Sequence, residues 1–93
     1  MAEISSGKPY EEFNLVNGDR LRVFNNTPEE DLVWHRDKED RWVYVEDNIG
    51  WKLQLDDELP ILLEVGKMYV IPEMTYHRLI KDESVLVIRI KKI

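Results

Sequence analysis

His35 and His77 are the only imidazoles in the 93-residue chain, and a carboxylate, Asp37, stands two positions after the first. In extended backbone, residues i and i+2 project from one face, so His35 and Asp37 can aim a nitrogen and an oxygen into one pocket. That pair is a fragment of a site for a divalent transition metal, which accepts imidazole and carboxylate together. A third ligand must arrive from elsewhere in the sheet, and His77 is the candidate. Without metal, either His35 or His77 could act as a general base, as in an epimerase, and His35 with Asp37 could supply the histidine–carboxylate pair this needs.

Other chemistries lack their residues. The chain has no cysteine, which removes disulfide frameworks, Cys-ligated zinc and thiol nucleophiles. Ser5, Ser6 and Ser84 fall in a predicted arm or turn, with no strand–turn–helix elbow around them. Gly7, Gly18, Gly50 and Gly66 are scattered through separate turns and form no phosphate-cradling loop. Acidic residues outnumber basic ones 19 to 13, a formal charge of -6, and no Lys/Arg stripe makes the footprint of a nucleic-acid reader. Lys91 and Lys92 read as a solvated terminus. No apolar run approaches the roughly 18 residues of a membrane span, and the N-terminus lacks the apolar stretch of a secretory signal. The expectation is a cytoplasmic protein with neither nucleic-acid nor membrane partners.

The elements that must position these side chains are strands. Short runs rich in Val, Ile, Leu, Trp and Tyr recur between turn formers, and no helical period is sustained. The runs predict strands over 13–15, 21–24, 32–35, 41–45, 51–55, 61–63, 68–71, 77–80 and 85–90. Between them, Asn17-Gly18-Asp19, Asp56-Asp57-Glu58 and Val65-Gly66-Lys67 supply residues that tolerate positive φ or close side-chain turns. Eight or nine short strands at regular spacing predict an all-β domain, a small antiparallel β-barrel or sandwich whose closure protects its edges. A chain this short holds one core, expected over 13–93, with 1–12 as an N-terminal arm or a strand lent to a neighbour.

The run from Gly66 to His77 is specific. A glycine turn leads into a strand, Pro72 ends that strand's hydrogen bonding, and a short turn brings back a histidine. Read as G-x5-P-x4-H, it resembles the second motif of the cupin superfamily, with Met74 at the usual glycine and Lys81 at the usual asparagine. The stretch from His35 to Asn48 is similar to the first cupin motif in degenerate form. The resemblance places His35 and Asp37 at the first two ligand positions, Arg41 at the usual glutamate and Asn48 at the turn glycine, where Asn tolerates a left-handed conformation. The two motifs span roughly residues 33 to 80.

The resemblance implies a jelly-roll, double-stranded β-helix in which His35, Asp37 and His77 hold Fe(II), Mn(II), Zn(II) or Ni(II), with no organic cofactor. Two histidines and one carboxylate match the facial triad of non-haem iron sites, which leaves positions open for substrate. Arg41 cannot ligate a metal, because its guanidinium is always charged. It can grip the carboxylate or phosphate of a small anionic metabolite, in an oxygenase or isomerase. The alternative is that Arg41 pairs with Asp37 in a metal-free, non-enzymatic ligand-binding or assembly module. If His35, Arg41, Val43 and Val45 face inward, then Trp34, Trp42 and Tyr44 face out. Such a group marks a contact surface and predicts a homodimer, unless residues 1–20 cover it.

Overall fold

A computed structural model describes residues 9–92. Among the described residues eight strands run in order: β1 (Glu11–Asn14), β2 (Arg20–Phe24), β3 (Arg41–Asp47), β4 (Lys52–Leu55), β5 (Ile61–Leu62), β6 (Met68–Ile71), β7 (His77–Ile80) and β8 (Leu86–Ile90). A single turn of 3-10 helix, Glu29–Asp31, precedes β3. All strand pairings are antiparallel. They form a five-stranded sheet, β1-β2-β8-β3-β6, and a three-stranded sheet, β5-β4-β7. From β3 onward the chain passes back and forth between the two sheets, as a jelly roll does, and the fold is the all-β one expected. Among the described residues no helix is long and apolar enough to cross a membrane.

The core follows from period-two alternation. On β8, Leu86, Ile88 and Ile90 are buried while Val87 and Arg89 lie on the other face. On β3, Val43 and Val45 are buried and Trp42 is exposed. Trp51, just before β4, is fully buried, with its ring 5.5 Å from that of Phe24. Its indole Nε1 donates to the Ser84 carbonyl at 2.7 Å, so the ring buries a large apolar area without an orphaned donor.

Four sequence expectations change. The predicted strand over 32–35 is not a strand. Pro28 sits at φ -65°, and Glu29–Asp31 takes a helical turn, so only the end of that run reaches β7, through one antiparallel bridge between His35 and His77. Of the residues expected in the arm, Glu11 and Glu12 belong to β1 and pair with Val23 and Arg22 of the same chain. Tyr10 stacks 5.2 Å from Phe24, and Thr27 Oγ1 donates to the Pro9 carbonyl at 2.7 Å. Residues 1–8 lie outside the described part. Asn48 is not left-handed, a conformation that Asn26, Asp57 and Met74 adopt instead. Its side chain closes the β3–β4 turn, accepting from Trp51 N at 2.9 Å and donating to the Leu63 carbonyl at 2.7 Å, and a turn closed this way needs no positive φ.

The fourth change concerns the C-terminal lysines. Asp19, a buried carboxylate in the β1–β2 turn, accepts from Lys91 Nζ at 2.7 Å and from Lys92 N at 2.8 Å. Lys91 is therefore tethered, and its hydrogen bond is the main cause holding the Asp19 carboxyl well below the usual carboxylate range. A depressed folded-state pKa stabilises the fold above the unfolded value, near 3.9, and that stabilisation fades as pH falls through the folded value. Asp19→Asn should therefore lower the thermal midpoint at pH 7, and the gap to wild type should narrow as pH drops below about 4. A gap that stays constant down to the lowest pH at which the fold survives would show that the charge is not what matters.

Candidate metal centre and ligand cavity

His35 and His77 meet through the backbone. Each N–H donates to the other's carbonyl, at 3.0 and 2.8 Å, which sets the two side chains side by side with ring centroids 4.3 Å apart. Both rings are oriented alike. His35 Nδ1 lies 3.0 Å from the Val33 carbonyl and His77 Nδ1 lies 2.8 Å from the Thr75 carbonyl. A carbonyl only accepts, so each Nδ1 carries the proton and each Nε2 presents a lone pair. This is the outer-shell arrangement that fixes metal-binding imidazoles. Asp37 completes the group: one ligand atom from each of His35, Asp37 and His77 lies within 4.8 Å of the others. The three residues singled out in the sequence are brought together.

The G-x5-P-x4-H run positions more than its histidine. Gly66 turns at φ +87° and Pro72 follows β6. In the turn after it, Glu73 N donates to Asp40 Oδ1 at 2.8 Å and Met74 N donates to the Asp37 carbonyl at 2.7 Å. Asp40 therefore has a structural partner, and the turn that returns His77 also clamps the loop carrying Asp37. Met74 does this at φ 61° with its side chain 47% exposed, a conformation that costs a side-chain-bearing residue roughly 1 kcal/mol. Met74→Gly should relieve that strain, but glycine also loosens the unfolded chain by about 0.4–1 kcal/mol, so the net stabilisation should be no more than about 0.6 kcal/mol, measured by urea denaturation. A destabilised variant would mean that the methionine side chain contributes packing that outweighs the strain.

The electrostatics favour a cation among these groups. His77 is buried, and its Nε2 stands 3.5 Å from Asp37 Oδ2. Burial, opposed by the Thr75 hydrogen bond, pushes the His77 pKa below its ordinary value, and the charges of His35 and Arg41 act in the same direction as burial. The neutral ring then faces a carboxylate lone pair with a lone pair of its own. A divalent ion satisfies both, so the donor set fits a metal. Arg41 Nε lies 3.8 Å from Asp37 Oδ2, too far for a hydrogen bond. Its Nε and Nη1 are buried with no hydrogen-bond partner, a costly condition that an anionic ligand would relieve.

These four residues line a cavity of about 340 Å³ that runs into the barrel between the sheets. The rest of its wall is mostly apolar, and includes Leu53, Leu63, Leu79 and Ile88. Those wall residues were not named from the sequence, although strand alternation marks Leu53 and Ile88 as inward. Arg22 and Tyr10 also reach the cavity and were missed, because a residue's place on the cavity wall depends on how the two sheets meet. Arg78 faces away, as alternation from His77 requires, donating to Gln54 at 3.0 Å and lying over the Trp34 ring. Arg89 is on the outer face and pairs with Glu46 at 2.8 Å.

Known structures share this architecture. A cupin-2 domain protein from Shewanella frigidimarina is 24% identical, with a TM-score of 0.61 over 87% of this chain and 76% of that one. A protein assigned as a mannose-6-phosphate isomerase, from Ralstonia eutropha, is 17% identical with a TM-score of 0.58 over 98% and 94%. A protein from Neisseria meningitidis is 20% identical with a TM-score of 0.57 over 89% and 83%. No protein-family profile matches the sequence, and no curated protein matches it significantly. Two sheets crossed by the chain, a G-x5-P-x4-H turn returning a histidine to the barrel, and these shared architectures together show that the chain folds as a cupin.

Proposed function

We propose that this cupin barrel binds one divalent metal ion through His35 Nε2, the Asp37 carboxylate and His77 Nε2, and a small anionic ligand through Arg41. The observation that carries the reading is the paired orientation of the two imidazoles. Both give Nδ1 to a carbonyl and leave Nε2 free, and one ligand atom from each imidazole and from Asp37 lies within 4.8 Å of the others. A bound ion would supply Lewis-acid polarisation of a ligand oxygen, the chemistry of an isomerase or oxygenase site. The protein's own groups do the rest. Arg41 holds the ligand's charge, the apolar wall excludes water, and the neutral His77 ring keeps protons from competing for its ligating nitrogen.

Elemental analysis tests this directly, on protein purified without chelator and on protein reconstituted with Fe(II), Mn(II), Zn(II) and Ni(II). One ion per chain supports the site. No ion after reconstitution favours the second reading, a metal-free binding module, for which the Arg41–Asp37 ion pair at 3.8 Å is the structural basis. In the general-base reading, it is His77 and not His35 whose ring nitrogen stands 3.5 Å from Asp37.

We also propose that the protein is a homodimer formed through the outer face of the five-stranded sheet. There Trp42 pairs across strands with Val70, and Tyr44 with Met68, leaving Trp42, Val70 and Met68 each more than two-fifths exposed. Arg89 on this face pairs with Glu46, so its charge does not repel a second copy. Trp34 does not belong to the group, because it flanks β7 at the other sheet beneath Arg78. Residues 11–14 extend the five-stranded sheet at its far edge and do not cover these rings. Light scattering should give a dimer for wild type and a monomer for Trp42→Glu. A monomeric wild type would reject this interface.

A further inference from the structure

We propose that the anionic ligand is a monocarboxylate with an apolar tail, its carboxylate against Arg41 and its tail along the barrel axis between the sheets. The proposal rests on the metal-and-anion reading above and narrows it to one chemical class. A volume of about 340 Å³ is within the range of small-molecule sites, but the polar groups are unevenly placed around it. Asp37 has His77 at 3.5 Å and Arg41 at 3.8 Å, so the charged groups gather at one place. Beyond them the wall is Val43, Leu53, Leu63, Ile71, Leu79 and Ile88. A hydroxyl desolvated against those side chains loses its water partners and finds no replacement. That composition disfavours a sugar or polyol and rewards methylene or aryl carbons.

The remaining polar lining does not supply a second anchor. Arg22 already donates to Glu12 at 2.7 Å and lies 4.3 Å from the Tyr10 ring centroid. Asp31 carries the wrong sign to hold an anion. Among the described residues Arg41 is the one guanidinium with buried nitrogens that lack a hydrogen-bond partner, and its single charge suits a single carboxylate. A doubly charged phosphate would also meet the field of a chain whose formal charge is -6.

The test is calorimetric titration of n-alkanoates from acetate to decanoate, with 1-octanol and glucose 6-phosphate as comparisons, into zinc-reconstituted and metal-free protein. Affinity should rise about fourfold per added methylene until the cavity is full. Octanoate should bind more than about tenfold tighter than 1-octanol, and Arg41→Met should erase that preference while keeping the chain-length dependence. Arg41→Met removes a half-buried guanidinium whose Nε and Nη1 make no hydrogen bond and fills its place with an apolar side chain of similar length, so it is expected to fold. A response independent of chain length, or tighter binding of glucose 6-phosphate than of octanoate, would overturn the assignment. Metal content measured on the same samples separates the two failures. Bound ion with no chain-length dependence rejects the apolar tail alone. Chain-length dependence in protein that takes up no ion rejects the metal and leaves the carboxylate pocket standing.

Discussion

Alanine at position 77 should leave the protein folded and without stoichiometric metal. The backbone of residue 77 makes the two bridge hydrogen bonds to His35, and alanine keeps both, so the strand pairing that positions His35 and Asp37 survives. What disappears is one of the three proposed ligand atoms. Loss of an outer-shell partner alone typically costs 10–100-fold in metal affinity, and loss of a ligand that is itself buried should exceed about 100-fold. Elemental analysis after dialysis against Zn(II) or Fe(II) should find one ion per wild-type chain and close to none in His77→Ala, with unchanged far-UV circular dichroism. His35→Ala should behave alike, although His35 is exposed at the mouth. A His77→Ala protein that retains one ion per chain would place the metal elsewhere and remove the basis of the proposed function. Protons compete with metal for both imidazoles, so uptake should fall as the solution is acidified. Burial lowers the His77 pKa, which extends toward acid the range in which its Nε2 is free to ligate.

The site was more legible than the fold around it. His35 and Asp37 could be paired because a spacing of two has one meaning in extended chain, and it holds here even though 32–35 is not a regular strand. His77 could be added because glycine, proline and histidine each leave a local mark: a turn, an end to hydrogen bonding and a return. What the sequence does not carry is long-range closure. Nothing local in Asp19 announces that its partners are Lys91 and Lys92, more than 70 residues away. The turn at Asn48 shows the opposite failure. The residue type was compatible with positive φ, but its side chain found Trp51 and Leu63 to bond, and Leu63 comes within reach only once β4 and β5 fold back. Met74 sits where the resemblance expects glycine, and the backbone there has kept the glycine-like conformation at φ 61°. The fold imposed the conformation in spite of the residue.

Trp51→Ala should be the most damaging single substitution for stability. The side chain is fully buried at 1% exposure, packs on Phe24 and ties the turn before β4 to the turn before β8 through Ser84. Large-to-small replacement of a buried aromatic costs about 3–5 kcal/mol, and here the Ser84 carbonyl also loses its donor. The total stability of a domain is about 5–15 kcal/mol, so the variant should be marginal. With a urea m-value of about 1–3 kcal/mol/M, the denaturation midpoint should fall by more than 1 M or the protein should be unfolded in buffer. Trp51→Phe separates the two contributions, since it keeps the stack on Phe24 and loses the indole donor, and should cost about 1–2 kcal/mol. The position also bears on function. Asn48 bonds both Trp51 and Leu63, and Leu63 lines the cavity, so loosening this corner should weaken the proposed alkanoate binding before the proposed metal uptake, whose candidate ligands sit on β7 and the loop before β3. Equal loss of both in Trp51→Phe would mean that the two ends of the cavity open as one unit.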